Sequence, residues 1–345
     1  MTEREWIRIS AVGLAILLSI ITFYFIEPPL RYGKGPKVKA LSLFLAVLFL
    51  GEIGLLVSYG AITSKNVGSN IPQNFTYHSD RRPFDLCAKT YVGWKNDRQD
   101  HECALPLSKN EDYITLIGDS HAHHLYEGLK SVFNGSEHIA MFPASGQIHL
   151  IDVYSNSLVN NEFNQNLYKK AWMQILNDKK AKVIVLAHRP IISFVKGNII
   201  DLANPELITP DAIYRDGARR TFKLLNKFNK KVIVILDNPD LLFSPNMCIR
   251  KMRPFLLTDK GDVCKFGRSH YDNNTASKTY NKILMDEARE YSNITFIDLS
   301  QYLCDSKFCY LSKDNKNLYW DKEGHFNIDG SKDVAKYIQS QITDL

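Results

Sequence analysis

Two stretches, 183–186 and 232–236, are unbroken runs of Val, Ile and Leu. A strand with water on one face alternates apolar and polar residues. A strand that is apolar at every position is covered on both faces, as in a parallel sheet sandwiched between helices. Further β-rich candidates fall at 113–117, 138–142 and 294–299, and apolar spacing suited to helices recurs at 121–132, 163–178, 211–228, 274–291 and 329–342. This alternation predicts an α/β domain over residues 113–345, built on a mostly parallel, doubly wound sheet. The stretch 243–270 is too long and too basic for a simple connection and reads as an excursion from that fold.

Ligands of such sheets gather where the strands end. The first strand ends there in Gly118-Asp119-Ser120-His121. Glycine permits a sharp turn, and Ser120 opens the next helix, where a backbone N–H favours negative charge. An ordinary helix cap has the same composition. The far end of the chain adds the chemistry. Residues 318–330 read Leu-Tyr-Trp-Asp-Lys-Glu-Gly-His-Phe-Asn-Ile-Asp-Gly ahead of an amphipathic C-terminal helix, with Asp329 as its predicted N-cap. This loop also lies at a strand's carboxyl end, so it can meet Ser120. A serine hydroxyl is a poor nucleophile until a base takes its proton, and the base needs a carboxylate to orient it. Ser120, His325 and Asp321 supply those three roles. His123 and His124 sit at positions expected for a solvated or packed helix face.

Residues 7–26 and 38–62 are long enough and apolar enough to span a bilayer. The short connection between them holds Arg31, Lys34, Lys37 and Lys39, which places it in the cytoplasm and the rest of the chain on the far side. The chain's 6 cysteines fall as local pairs, Cys87 with Cys103, Cys248 with Cys264 and Cys304 with Cys309. Such spacing predicts disulfides in an oxidising compartment; no C-x₂-C pair or histidine cluster favours zinc, and no metal is expected. A net charge of +6 without a dense basic face argues against nucleic acid as a partner. The expected organisation is two transmembrane helices over 1–63, a polar linker over 64–112 that becomes ordered around Cys87–Cys103, and the α/β domain from 113 onward.

Gly118-Asp119-Ser120-His121, taken with the late acid-and-histidine block ending in Phe326-Asn327 and Gly330, resembles the SGNH hydrolase superfamily. More narrowly, it resembles the SGNH domain fused to membrane acyltransferase-3 proteins, which O-acetylate bacterial surface polysaccharides. Phe25-Ile26-Glu27-Pro28-Pro29-Leu30-Arg31 is similar to the end of that family's last core membrane helix, and 38–62 to the extra span leading to its periplasmic domain. Cys304-Asp305 to Cys309, followed by Leu318-Tyr319-Trp320-Asp321, resembles its closing segment.

The resemblance implies a three-layer α/β/α SGNH domain in the periplasm, tethered to the bacterial inner membrane and active as an O-acetyltransferase on lipopolysaccharide or other surface glycan. It makes Ser120 the nucleophile, His325 the base and Asp321 the orienting acid, with the Ser120 and Gly146 N–H groups as an oxyanion hole. It implies no bound cofactor; the acetyl group would derive from acetyl-CoA and arrive through a multispan acyltransferase-3 partner. The chain retains what resembles only the last core span, as a truncated or split product would.

Two departures bear on the site. The family's acid lies three residues before its histidine, whereas Asp321 lies four before His325; Gly324 is expected to absorb the extra residue as a bulge, or Glu323 to share the acid's role. The family's Gly-x-Asn-Asp block is replaced by Leu186-Ala187-His188-Arg189-Pro190. His188 and Arg189, with Asp119, His121 and Glu323, are expected to line the site. Two other functions share these residues: a carbohydrate esterase, with water as acceptor, and an inactive remnant that binds glycan as a scaffold.

Overall fold

The computed structural model describes residues 12–13, 16–17, 19–20, 22–28, 44–45, 48–52, 81–91, 102–108, 110–133, 135, 137–143, 148–155, 162–189, 199–245, 264–314 and 316–342. The chain divides into two units, Met1–Asn66 and Val67–Leu345. In the first, Thr22–Ile26 forms a π-helical turn. No helix among the described residues is long and apolar enough to cross a membrane. About half of the expected span 7–26 and most of 38–62 fall outside those residues. Large apolar side chains that are described there, among them Ile16, Phe23, Phe44 and Phe49, are about half to two-thirds exposed.

The second unit carries a five-stranded sheet: β1 (Tyr113–Gly118), β2 (Ile139–Pro143), β3 (Ala181–Ala187), β4 (Lys231–Leu236) and β5 (Ile294–Asp298). Its order is β2-β1-β3-β4-β5, and every neighbouring pair is parallel. The strands alternate between two separate cores, as a period of two residues requires. Ile114, Leu116, Val183, Val185, Ile233 and Ile235 point to one face. Ile117, Ile184, Leu186, Val232, Val234 and Leu236 point to the other.

Helices cover both faces. The chain supplies, in order, α1 (Arg82–Thr90), α2 (Ser120–His123), α3 (Tyr126–Val132), α4 (Glu162–Asn177), α5 (Pro210–Lys227), α6 (Arg268–Asp272), α7 (Thr275–Ala288), α8 (Ser300–Leu303) and α9 (Ile328–Ser340). Tyr126 and Leu129 of α3 join Val334, Ala335 and Ile338 of α9 in the first core. Trp172 of α4, Phe222 of α5 and Leu284 of α7 build the second. At the α3–α9 crossing the Gly128 N–H donates to Ser331 Oγ at 2.9 Å, and a Cβ on Gly128 would lie 2.1 Å from the Ser331 carbonyl oxygen. This close crossing ties the last helix to the segment that follows Ser120.

Two expectations about helices are corrected, and two expected disulfides are present. The helix expected over 121–132 is two helices, because Leu125 N–H bonds back to Ala122 O and tightens the turn between them. The N-cap of α9 is Asn327, whose side chain accepts from Gly330 N at 2.8 Å; Asp329 lies in the first turn, where its charge suits the helix dipole. Within the stretch read as a linker, α1 buries Phe84, Tyr91 is fully buried just after it, and Ala104 bridges antiparallel to Met141 of β2. Three short antiparallel pairs escape the sequence pattern: 153–155 with 199–201, 265–267 with 308–310, and 312–313 with 316–317. Disulfides join Cys87 to Cys103 and Cys304 to Cys309. The expected Cys248–Cys264 pairing involves Cys248, outside the described residues.

Candidate active site

The site assembles at the carboxyl edge of the sheet. β1 ends at Gly118, the chain turns at Asp119, and Ser120 opens α2. Asp119 is 3% exposed and fixes this turn to its surroundings. Its Oδ1 accepts from His121 N at 2.8 Å, its Oδ2 accepts from Arg189 N at 3.0 Å, and Oδ2 also lies 3.0 Å from His188 Nδ1. Burial alone would raise the Asp119 pKa; His188, then His121 and the Arg189 N–H, outweigh it and hold the carboxyl well below its ordinary range.

The loop before α9 brings its histidine to the serine. His325 Nε2 lies 2.8 Å from Ser120 Oγ, and His325 Nδ1 lies 2.7 Å from Asp321 Oδ2. The second oxygen of Asp321 accepts from Glu323 N at 2.9 Å and from His325 N at 3.2 Å, so the acid also shapes the loop that carries the base. Burial pushes the Asp321 carboxyl up, but its bond with His325, that ring's charge and the two N–H donors lower it overall. Gly324 adopts φ +88° and takes up the additional residue between acid and base. Glu323 does not reach the histidine; it accepts from Arg189 Nη1 at 2.6 Å.

Arg189 thereby joins three loops. Its Nη2 donates to Asp240 Oδ1 at 2.9 Å and its backbone N–H to Asp119. Beside the serine, His121 Nδ1 lies 2.7 Å from Asp237 Oδ1, and Asn238 Nδ2 donates to Gly324 O at 3.2 Å. His124 Nδ1 accepts from Phe326 N at 3.2 Å, and burial first, then the neighbouring rings, keeps its pKa far below the usual histidine value. Asp119 and His121 flank Ser120 in the chain, Asp119 meets His188 and the Arg189 N–H, and Arg189 holds Glu323. Gly146, expected in the oxyanion hole, lies outside the described residues. Sequence reasoning passed over Asp237, Asn238 and Asp240. Their signal was a polar cluster directly after β4, at the edge where a site is expected.

A second group of rings lies deeper. His188 Nε2 is 3.3 Å from Tyr214 OH, and His149 Nε2 is 3.3 Å from Tyr280 OH. Burial, then the nearby His188, lowers the His149 pKa to about 3. An unfolded chain protonates this histidine near pH 6.5. Between pH 6.5 and about 3 the unfolded state therefore binds one more proton there than the folded state, and stability falls as pH drops through that window. His149→Phe is expected to reduce the slope of unfolding free energy against pH, between pH 6 and 4, by about one proton, roughly 1.4 kcal/mol per pH unit. Denaturant titrations at three pH values measure it, and an unchanged slope would contradict the assignment.

A serine, histidine and carboxylate in hydrogen-bonded sequence, on the carboxyl edge of a doubly wound sheet, define a serine-hydrolase type of site. The chain belongs to the family described as "SGNH domain (fused to AT3 domains)", whose sequence pattern matches residues 87–340. No curated protein sequence matches it. Among solved structures, it is similar to the periplasmic domain of a lipopolysaccharide acetyltransferase from Salmonella ser. Paratyphi A, at 16% identity over 69% of this chain and 86% of that one, with a TM-score of 0.49. It is similar to the C-terminal catalytic domain of peptidoglycan O-acetyltransferase A from Streptococcus pneumoniae, at 15% identity over 67% and 92%, with a TM-score of 0.32. A putative acylhydrolase from Bacteroides fragilis aligns at 14% identity over 76% and 97%, with a TM-score of 0.40.

Proposed function

We propose that this chain is an O-acyltransferase that moves an acetyl group onto a hydroxyl of a bacterial cell-surface polysaccharide through an acyl-serine intermediate. The observation that carries the reading is the continuous array from Asp321 through His325 to Ser120, at 2.7 and 2.8 Å. An inactive scaffold has no need of a carboxylate on Nδ1 and a serine on Nε2 of one ring. The family's description, which couples SGNH domains to AT3 acyltransferase domains, supports transfer.

In the first half-reaction Ser120 Oγ attacks the acyl carbonyl while its proton passes to His325 Nε2. Asp321 holds the other ring nitrogen and stabilises the imidazolium. The tetrahedral oxyanion forms beside the Ser120 N–H, with Gly146 N–H proposed as a second donor. Collapse breaks the bond to the donor's leaving group, which takes the proton from His325. In the second half-reaction a sugar hydroxyl gives its proton to His325 and attacks the acyl-serine; collapse breaks the bond to Ser120 Oγ, which takes that proton back from His325, and leaves the acyl ester on the sugar.

The reading extends to the cell. The exposed apolar side chains of the first unit suit a lipid environment, and the disulfides Cys87–Cys103 and Cys304–Cys309 suit the periplasm. No cofactor is bound in this scheme. The acetyl group, derived from acetyl-CoA, reaches Ser120 through a multispan acyltransferase-3 partner at the inner membrane.

Incubation of the chain with 4-nitrophenyl acetate tests the chemistry, read by intact mass and peptide mapping. An acetyl adduct on the Ser120 peptide, discharged faster by added oligosaccharide than by water, supports transfer. Discharge that ignores the sugar indicates an esterase. No adduct on a folded, disulfide-bonded chain overturns the enzyme reading.

A further inference from the structure

His121 and His124 stand three residues apart on the segment that Ser120 begins, and the chemistry of the acyl-enzyme uses neither. Both nonetheless close on Gly324-His325-Phe326. The His121 ring centre lies 4.9 Å from that of His325, and Asp237 pins the ring through Nδ1. The same Asp237 oxygen accepts from Asn238 N at 3.0 Å, and Asn238 in turn binds the Gly324 carbonyl. A Cβ on Gly324 would lie 2.9 Å from Asn238 Nδ2 and 3.8 Å from His121 Cε1, so the loop passes close to this wall at a residue whose φ of +88° favours glycine. On the other side of the base, His124 accepts the Phe326 N–H and packs its ring 4.5 Å from the Phe326 ring. The residues before and after His325 are therefore each held by a side chain outside the loop, and its ring rests against a third.

We infer that His121, anchored by Asp237, and His124 are positioning residues that act as a paired clamp on 324–326 and fix the imidazole of His325 between Asp321 and Ser120. The need follows from the loop itself. It carries one residue more between acid and base than the family pattern, and it accommodates that residue through Gly324 at φ +88°. The imidazole works only if both nitrogens keep their partners together, and a displacement of about 1 Å at such a contact lowers a rate on the order of 100-fold. The clamp adds, from the end of α2 and the loop after β4, contacts from outside the loop to those that Asp321 makes within it. The inference rests on Ser120 being the acylated residue.

The test compares the full chain with Asp237→Ala, His124→Leu and His124→Asn, each alone and combined with His325→Ala, by the rate of Ser120 acetylation from 4-nitrophenyl acetate. Asp237→Ala and His124→Leu are expected to lower the rate constant on the order of 100-fold, with the half-saturating ester concentration unchanged. His124→Asn, whose side-chain oxygen falls near the lost Nδ1, is expected to recover most of the rate. In the His325→Ala background the same changes should have no further effect, because residues acting through one group are non-additive with its removal. Near wild-type rates in both clamp variants, an equal loss without His325, or an asparagine variant as slow as leucine would each overturn the inference. If His124→Leu fails to fold, Asp237→Ala decides alone. If the wild-type chain takes no acetyl group while folded, the functional reading falls and this inference with it.

Discussion

Asparagine in place of Asp321 is expected to slow acylation of Ser120 by about four orders of magnitude, and alanine in place of Ser120 to abolish it. The carboxylate accepts from His325 Nδ1–H, which leaves Nε2 unprotonated and facing Ser120 Oγ at 2.8 Å. An asparagine amide can turn its N–H₂ toward Nδ1. The ring then carries its proton on Nε2, the wrong nitrogen to receive the serine's. No nearby acid compensates, because Glu323 is drawn the other way by Arg189. Glu323→Gln keeps an acceptor for Arg189 and removes a partly exposed ion pair of about 1 kcal/mol at most, so its rate should stay within roughly tenfold of wild type. Single-turnover acylation followed by nitrophenolate release measures all three variants. A rate for Asp321→Asn within tenfold of wild type would remove Asp321 from the proposed role, and an equal fall in Glu323→Gln would show that the two acids share it.

The parts of this molecule that were legible in its sequence are those with a strong physical signature over a short stretch. β3 and β4 announce themselves because a strand buried on both faces leaves no room for polar residues. Ser120, Asp321 and His325 stood out because few residue types can make a nucleophile, and because both stretches fall where strands end. The supporting wall was not legible. Asp237, Asn238 and Asp240 follow β4 as any loop follows a strand, and only the fold shows that they face Gly324 and Arg189. His124 has the spacing of a solvated helix face as much as of a buried one; the break at Leu125 decides the matter. The polar composition of 64–112 conceals α1, whose Phe84, together with Tyr91 and the Arg81–Glu102 ion pair, completes the edge beside β2. Asn327 and Asp329 are both good N-caps, and two residues of difference lie below what composition resolves.

Gly118→Ala is expected to cost about 4 kcal/mol of stability, a large share of the roughly 5–15 kcal/mol that holds a folded domain together. Gly118 ends β1 between Pro143 of β2 and Ala187 of β3, at φ +157°. A Cβ there would lie 1.6 Å from the Ala187 carbonyl oxygen and 2.8 Å from Ala122 Cβ. The first neighbour is backbone in the adjacent strand, and it can withdraw only if β1 and β3 part just before Asp119 meets His188 and the Arg189 N–H. Crowding therefore adds to backbone strain. Gly135 separates the two effects, since its φ is +86° and nothing lies within 4 Å of its Cβ position. Gly135→Ala is expected to lose only about 1 kcal/mol, the strain alone. Chemical denaturation of the two variants gives the comparison. Equal losses would mean that the β1–β3 contact yields to the added methyl, and that the turn presenting Ser120 is less tightly fixed than its hydrogen bonds to Asp119 imply.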